Sequence, residues 1–142
     1  MSETSKPQSL LLADDHPVFL LGLQTLIGNL EGYEVIEQVD NGQHAFEQIT
    51  SKSPDIAILD IDMPYLSGIE VAARLREENT PTKIIILSYY WDENTLRIAR
   101  DLKVEAVLLK QNALEEMAVC LEQIRAGLDY VGKNCYEMAR NG

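Results

Sequence analysis

The 142-residue sequence is poor in cysteine and contains no long apolar run. Its two cysteines, Cys120 and Cys135, have neither CxxC spacing nor neighbouring histidines, which favours free or buried thiols over a metal site or a structural disulfide. No apolar stretch could span a bilayer, and the polar start of the chain lacks the apolar region of a signal peptide. We therefore expect a cytoplasmic protein without a membrane segment.

Basic residues are also few, because 12 Lys and Arg stand against 23 Asp and Glu, giving a net charge of −11. Binding to a phosphate backbone needs clustered Lys and Arg, so we expect no direct nucleic-acid binding by this segment. Hydrophobic residues make up 46% of the chain, which at this length predicts one domain with a core of its own.

What the sequence does contain is a regular alternation of short apolar runs and helical patterns. Apolar runs predict five strands, and apolar residues recur at helical spacing after each of them. This alternation predicts an α/β fold, a (βα)5 doubly wound parallel sheet with helices on both faces. The predicted strands are 9–13, 34–39, 55–60, 83–88 and 105–109, and the clearest helices are 18–30, 92–101 and 112–127.

Reactive side chains stand at the carboxyl ends of four of these strands. In an open parallel sheet this edge is where ligands bind, so we expect three carboxylates, one hydroxyl and one ammonium to meet there. The residues are Asp14, Asp15, Asp60, Ser88 and Lys110.

Carboxylates brought this close would repel each other unless a cation lay between them. Mg2+ prefers oxygen ligands, so the predicted metal ligands are Asp14, Asp15 and Asp60. The backbone carbonyl of Met63 is a further candidate, since its sulfur is a poor match for a hard ion.

The position of Asp60 at the end of the central apolar strand predicts a second role for its carboxylate. A carboxylate there can attack a phosphoryl group and form an aspartyl-phosphate. Lys110 would pair with one phosphoryl oxygen, and the hydroxyl of Ser88 would hydrogen-bond another.

Four separated stretches each join an apolar run to one of these reactive side chains. They are Leu-Leu-Leu-Ala-Asp14-Asp15-His-Pro, Ile-Leu-Asp60-Ile-Asp-Met-Pro-Tyr-Leu-Ser-Gly68, Ile-Ile-Ile-Leu-Ser88 and Val-Leu-Leu-Lys110. On these motifs, which occur in the family's order, the chain resembles over residues 8–128 the receiver domain of two-component response regulators. The resemblance implies a flavodoxin-like fold with strand order 2-1-3-4-5, a sensor histidine kinase as phosphodonor and Mg2+ as cofactor. It implies Asp60 as the phosphoacceptor and Asp14 and Asp15 as Mg2+ ligands. It also implies Ser88 as the switch hydroxyl and Lys110 as a contact of the phosphoryl group.

The opening Asp-Asp-His-Pro followed by Phe-Leu-Leu-Gly-Leu resembles the NarL/FixJ-type subfamily. Its members usually carry a helix-turn-helix DNA-binding domain after the receiver, which implies transcription regulation as the output. Residues 129–142 would then be a linker or C-terminal helix towards an output domain that this sequence lacks. The outer face of the last long helix could serve a phosphorylation-linked homodimer.

Some residues depart from the receiver pattern or have no assigned role. Receivers often carry Tyr or Phe three residues before the lysine, where this chain has Val107. The aromatic run 89–91 follows Ser88 directly and fits either local packing or a partner surface. His16 stands beside Pro17 in the first turn of a helix and is expected to be structural.

Two other functions remain open from the sequence. The first is a phosphate-independent interaction module with a vestigial site. The second is a haloacid-dehalogenase-type phosphatase with Asp60 and Asp62 as its DxD motif, which would leave the pair Asp14-Asp15 unexplained. As a receiver, the chain would not be an enzyme beyond the phosphorylation and dephosphorylation of its own Asp60.

Overall fold

A parallel sheet of six strands organises the computed structural model, which describes residues 6–141. The spatial order β2-β1-β3-β4-β5-β6 contains the predicted order 2-1-3-4-5 and adds one short strand at the edge. All neighbouring strands are parallel. The strands are β1 (Gln8–Ala13), β2 (Tyr33–Val39), β3 (Ile56–Asp60), β4 (Lys83–Ser88), β5 (Ala106–Leu109) and β6 (Tyr130–Val131).

Helices connect the strands, and side-chain caps fix where several of them begin. Asp92 caps α4 by accepting the N–H of Thr95, and Ser67 forms a capping box with Glu70 at the start of α3. The helices are α1 (Pro17–Gly28), α2 (Gly42–Lys52), α3 (Gly68–Glu77), α4 (Glu93–Asp101), α5 (Ala113–Arg125) and α6 (Cys135–Asn141), with a 3-10 turn over Lys110–Asn112.

Two hydrophobic cores lie on opposite faces of the sheet, because successive strand residues point to opposite sides. One core packs Leu10 and Leu12 of β1 against α1 and α5. The other packs Leu11 of β1 against α2, α3, α4 and α6. The two cysteines are free and fully buried, Cys120 in the first core and Cys135 in the second, as the sequence analysis favours.

The segment after α5 folds back onto the sheet. Strand β6 pairs with β5, and α6 buries Cys135 and Ala139. The buried carboxylate of Glu116 on α5 accepts hydrogen bonds from the Tyr130 hydroxyl (3.2 Å) and the Lys133 N–H (3.1 Å). The sequence analysis expects either a linker or a C-terminal helix in this segment. The structure has a helix, α6, which packs against the domain.

None of the helices within residues 6–141 has the length and apolar character that crossing a membrane requires.

Candidate functional site

The carboxyl ends of β1, β3 and β5 bring three buried charged side chains to one point. Ala13 pairs with Leu59 across the sheet, so Asp14 and Asp60 follow neighbouring strands side by side. The Lys110 ammonium lies 2.8 Å from Asp14 Oδ2 and 3.2 Å from Asp60 Oδ2. Each of the three residues is only 2% exposed. The chain thus holds two carboxylates and one ammonium in the same buried pocket.

Asp15 and His16 line the mouth of this pocket, and both side chains are partly exposed. The His16 Nδ1 atom lies 3.0 Å from Asp14 Oδ1, 3.3 Å from Asp15 Oδ1 and 2.9 Å from Lys110 Nζ. The His16 backbone N–H also donates to Asp14 Oδ1 at 2.8 Å. The sequence predicts a structural role for His16, and the structure adds that its ring contacts the charged side chains of the site. The available signal was its place directly after an acid pair at a strand end.

The electrostatics of the pocket favour a charged lysine and make Asp60 harder to ionise than an ordinary aspartate. Burial and the neighbouring charge of Asp14 raise the pKa of Asp60 to about 6, against the attraction of Lys110. Burial alone would lower the pKa of Lys110, but the close contact with Asp14 and the charges of Asp60 and Asp14 raise it above its usual value. Lys110 therefore carries a positive charge at neutral pH.

Two aromatic rings lie beside the Lys110 ammonium. Its Nζ is 4.8 Å from the centre of the Phe19 ring and 5.2 Å from that of Tyr89. Rings at these distances attract a cation and exclude water from one side of it. They help to hold the ammonium between the two carboxylates.

The acidic residues fit a hard divalent cation. Ligand atoms of Asp14, Asp15, Asp60 and His16 all lie within 4.8 Å of one another. Among residues 6–141, the buried Asp14 Oδ2 has no hydrogen bond of good geometry, and its short contact to Lys110 is an ion pair. A carboxylate oxygen without a hydrogen-bond partner, next to two further carboxylates, is the donor set that Mg2+ prefers.

The Met63 side chain packs against the core of the sheet, which agrees with a role that does not use its sulfur. Its carbonyl as a metal ligand stays a prediction.

Ser88 stands at the end of β4, 3% exposed, with its hydroxyl engaged by its own loop. The hydroxyl donates to the Tyr90 carbonyl at 2.8 Å and accepts from the Tyr90 N–H at 3.1 Å. The structure thus shows Ser88 tied to the β4–α4 loop, and its contact with a phosphoryl group stays a prediction.

The aromatic run after Ser88 divides between two environments. Trp91 is fully buried, packs in the same core as Val107, and donates its indole N–H to the Leu108 carbonyl at 3.0 Å. Tyr89 and Tyr90 are each about half exposed, at 52% and 50%. Local packing therefore describes Trp91, whereas the two tyrosines form an accessible surface beside the pocket.

The match to a family model for the response regulator receiver domain covers residues 10–122. This chain belongs to the response regulator receiver family. It is 31% identical over 122 residues to the nitrate/nitrite response regulator NarL of Escherichia coli, covering 86% of this chain and 56% of that protein. The receiver therefore spans little more than half the length of this relative.

Solved structures of receivers share the fold. The receiver domain of a NarL response regulator from Mycobacterium tuberculosis matches with a TM-score of 0.81 and 27% identity, covering 86% of this chain and 98% of that one. A LuxR-family response regulator from Aurantimonas matches in fold with a TM-score of 0.86 at 22% identity, covering 96% of this chain and 97% of that one. These matches agree with the observed strand order.

The position of Asp62 favours the receiver family over the phosphatase alternative. Its side chain is exposed, and it lies outside the group of carboxylates that converge within residues 6–141. The acids that do meet Asp60 are Asp14 and Asp15, the two that a DxD phosphatase motif leaves unexplained.

Proposed function

We propose that this receiver is a signalling switch in which Asp60 accepts a phosphoryl group from a sensor histidine kinase. The observation that carries the proposal is the buried contact between Asp60 and Lys110 at 3.2 Å, next to Asp14 and Asp15. A carboxylate oxygen of Asp60 would attack phosphorus, and the bond from phosphorus to the kinase histidine would break. The histidine nitrogen leaves with the electron pair of that bond and takes up a proton.

The residues around Asp60 supply the charge compensation that such a transfer needs. Lys110 would move its ammonium from the carboxylates to a phosphoryl oxygen, where it offsets the added negative charge. Asp14, Asp15 and Asp60, with the Met63 carbonyl, would hold Mg2+, which when bound neutralises phosphoryl oxygens and the carboxylates themselves.

The switch itself would run through Ser88. In the structure its hydroxyl holds both the N–H and the carbonyl of Tyr90. A phosphoryl oxygen on Asp60 would compete for that hydroxyl, release the Tyr90 backbone and reshape residues 88–92. A ligand that binds one arrangement of this loop better than another shifts the population of the two.

The output follows by analogy with the longer relatives. We propose that residues 8–128 form the receiver and that 129–142 lead towards a DNA-binding domain, so that phosphorylation controls transcription in the cytoplasm. The exposed apolar residues Val18 and Leu21 on α1 and Leu114 on α5 are available for a phosphorylation-linked homodimer. The receiver itself would turn over no substrate other than its own phosphate.

Incubation with MgCl2 and a small acyl phosphate tests the proposal. Mass spectrometry should show a phosphate-sized gain in the native chain and in the control Asp62→Asn, but not in Asp60→Asn. Tandem mass spectra should place the modification on Asp60.

Two outcomes would contradict the switch. A native chain that gains no phosphate would be a vestigial interaction module. Steady hydrolysis of phosphomonoesters that is lost in Asp62→Ala would make the chain a phosphatase.

A further inference from the structure

The ring of His16 faces three charged groups through a single nitrogen. Its Nδ1 contacts Asp14 Oδ1, Asp15 Oδ1 and Lys110 Nζ, all within 3.3 Å. In a neutral imidazole each ring nitrogen either donates or accepts one hydrogen bond. Nδ1 can therefore accept from the Lys110 ammonium or donate to a carboxylate, but it cannot satisfy both.

This conflict makes the ring easy to displace. In either neutral tautomer, Nδ1 forms one hydrogen bond and leaves two of its three charged neighbours without one from the ring. The His16 side chain is 57% exposed, so the ring has solvent on one side into which it can turn. By contrast, the carboxylate of Asp14 and the ammonium of Lys110 are almost completely buried.

The ring contacts one oxygen of Asp14 and one of Asp15, and both carboxylates belong to the cluster that could hold a cation at the mouth of the pocket. Mg2+ binds oxygen at about 2.0–2.1 Å and demands a nearly octahedral shell. A ring nitrogen about 3 Å from both oxygens stands where that shell has to form. Imidazole suits softer transition metals better than Mg2+, so the ring is a poor member of the shell.

We propose that His16 gates the metal site: its ring holds the carboxylates of Asp14 and Asp15 and has to swing outwards before Mg2+ binds between them. This inference rests on the proposed function, because it takes these carboxylates as the Mg2+ ligands. The ring acts through the metal ligands, so His16 is a positioning residue and not a catalytic one.

Truncation of the side chain isolates this role. The backbone N–H of His16 donates to Asp14 Oδ1 at 2.8 Å and remains in His16→Ala, so Asp14 keeps one contact that orients it. Lys110 keeps its contacts to Asp14 and Asp60. The variant therefore removes the competing ring and leaves the carboxylates in place.

The test is a titration of the 15N-labelled chain with MgCl2 at constant ionic strength, followed by NMR. We expect the Mg2+ dissociation constant of His16→Ala to fall about two- to tenfold, the effect of releasing one hydrogen bond. The matched control is His44→Ala, which removes the other histidine ring of the chain from an exposed position on α2 and should leave the constant unchanged. In the native chain, the ring resonances of His16 should shift with the same constant as the amide of Asp15.

Several outcomes would overturn the gate while leaving the metal site intact. Equal or weaker Mg2+ binding by His16→Ala would show that the ring supports the site or does not affect it. If the His16 ring resonances of the native chain did not shift at saturating Mg2+, the ring would not move when the metal binds. If the native chain binds no Mg2+, or if Asp15→Asn binds it unchanged, the proposed metal site fails and the gate fails with it.

Discussion

The backbone N–H of Trp91 lies 3.5 Å from the sulfur of Met138, which joins the loop after β4 to the C-terminal helix. Trp91 is also held by β5, because its indole N–H donates to the carbonyl of Leu108. The loop that begins at Ser88 thus contacts two elements beyond the phosphoacceptor pocket. We therefore expect a change at residues 89–91 to be felt in α6.

Shortening Met138 should therefore loosen α6 and the loop together. Met138 is partly buried against the core, so we expect Met138→Ala to lower the free energy of unfolding by about 1–3 kcal/mol. Urea denaturation measures this loss, and amide hydrogen exchange should become faster in residues 89–91 as well as in α6. The control Glu137→Ala changes an exposed neighbour, and its unfolding free energy and exchange rates should stay close to those of the native chain. Faster exchange confined to α6 would show that the loop does not depend on this contact.

Removing the buried ammonium should destabilise the pocket. Lys110→Met leaves two buried carboxylates without their cation, which costs about 3 kcal/mol at neutral pH. The attraction of Lys110 lowers the pKa of Asp60, so its loss raises that pKa further. The deficit should shrink as the pH falls towards 5 and the carboxyls take up protons. Denaturation of Lys110→Met and of the exposed control Lys133→Met, at both pH values and without divalent ions, measures the effect. If Lys110→Met lost the same stability at neutral pH and at pH 5, the loss would not come from the charges of the buried carboxylates.

The raised pKa of Asp60 predicts a pH-dependent cost to the fold. Its folded-state pKa of about 6 exceeds the ordinary 3.8, so the folded chain binds this proton more tightly than the unfolded chain. Stability should therefore fall as the pH rises from about 4 to about 6, and the cost is fully present above 6. Asp60→Asn removes the ionisation and should be more stable than the native chain by about 2 kcal/mol at pH 7.5.

The measurement is urea denaturation across this pH range in the presence of EDTA, with the exposed Asp62→Asn as control. The gain of Asp60→Asn should shrink steadily as the pH falls from 6 to 4 and should disappear below the ordinary pKa of 3.8, where the carboxyl is protonated in both states. A variant no more stable than the native chain at pH 7.5 would show that ionised Asp60 is well accommodated in the pocket.

The sequence predicts much of this site because strand ends are encoded locally. Continuous apolar runs define β1, β3, β4 and β5 to within one residue of the observed bounds, and the polar residue after each run has to lie at the sheet edge. The convergence of Asp14, Asp60 and Lys110 follows from that rule alone. Such an argument places side chains at an edge but does not give their contacts.

The features that sequence analysis missed depend on long-range packing. The His16 ring meets Lys110, which lies 94 positions further along the chain. Strand β6 has only two residues. The Gly132 N–H donates to the Val107 carbonyl, and the Tyr130 hydroxyl donates to the Glu116 carboxylate. These contacts join distant parts of the chain, so no pattern of neighbouring residues predicts them. The division between exposed Tyr90 and buried Trp91 is set by the turn that Ser88 closes.

The backbone of Gly42 lies against the backbone of the β3–α3 loop, an approach that the missing side chain of glycine allows. A Cβ on Gly42 would lie 1.9 Å from the carbonyl oxygen of Leu66, so Gly42→Ala has to move the β3–α3 loop or the start of α2. We expect a loss of about 2–3 kcal/mol in the free energy of unfolding. Gly28→Ala is the matched control, because a Cβ there meets nothing within 4 Å, and it should be neutral or slightly stabilising.

Thermal and urea denaturation of the two glycine variants measures this difference, and NMR shifts in residues 61–67 should change only in Gly42→Ala. If the two variants were equally stable, the β3–α3 loop would be able to shift away from a Cβ at position 42 without loss of stability.

The two thiols on opposite faces of the sheet give the chain its own reporters of local opening. Burial raises the pKa of Cys120 to about 12 and that of Cys135 to about 11, so both stay protonated and unreactive at neutral pH while they remain covered. Alkylation of either thiol then requires the surrounding structure to open. Because Cys135 is the first residue of α6 and Cys120 belongs to α5, the ratio of their alkylation rates would record detachment of the C-terminal helix separately from unfolding of the whole domain.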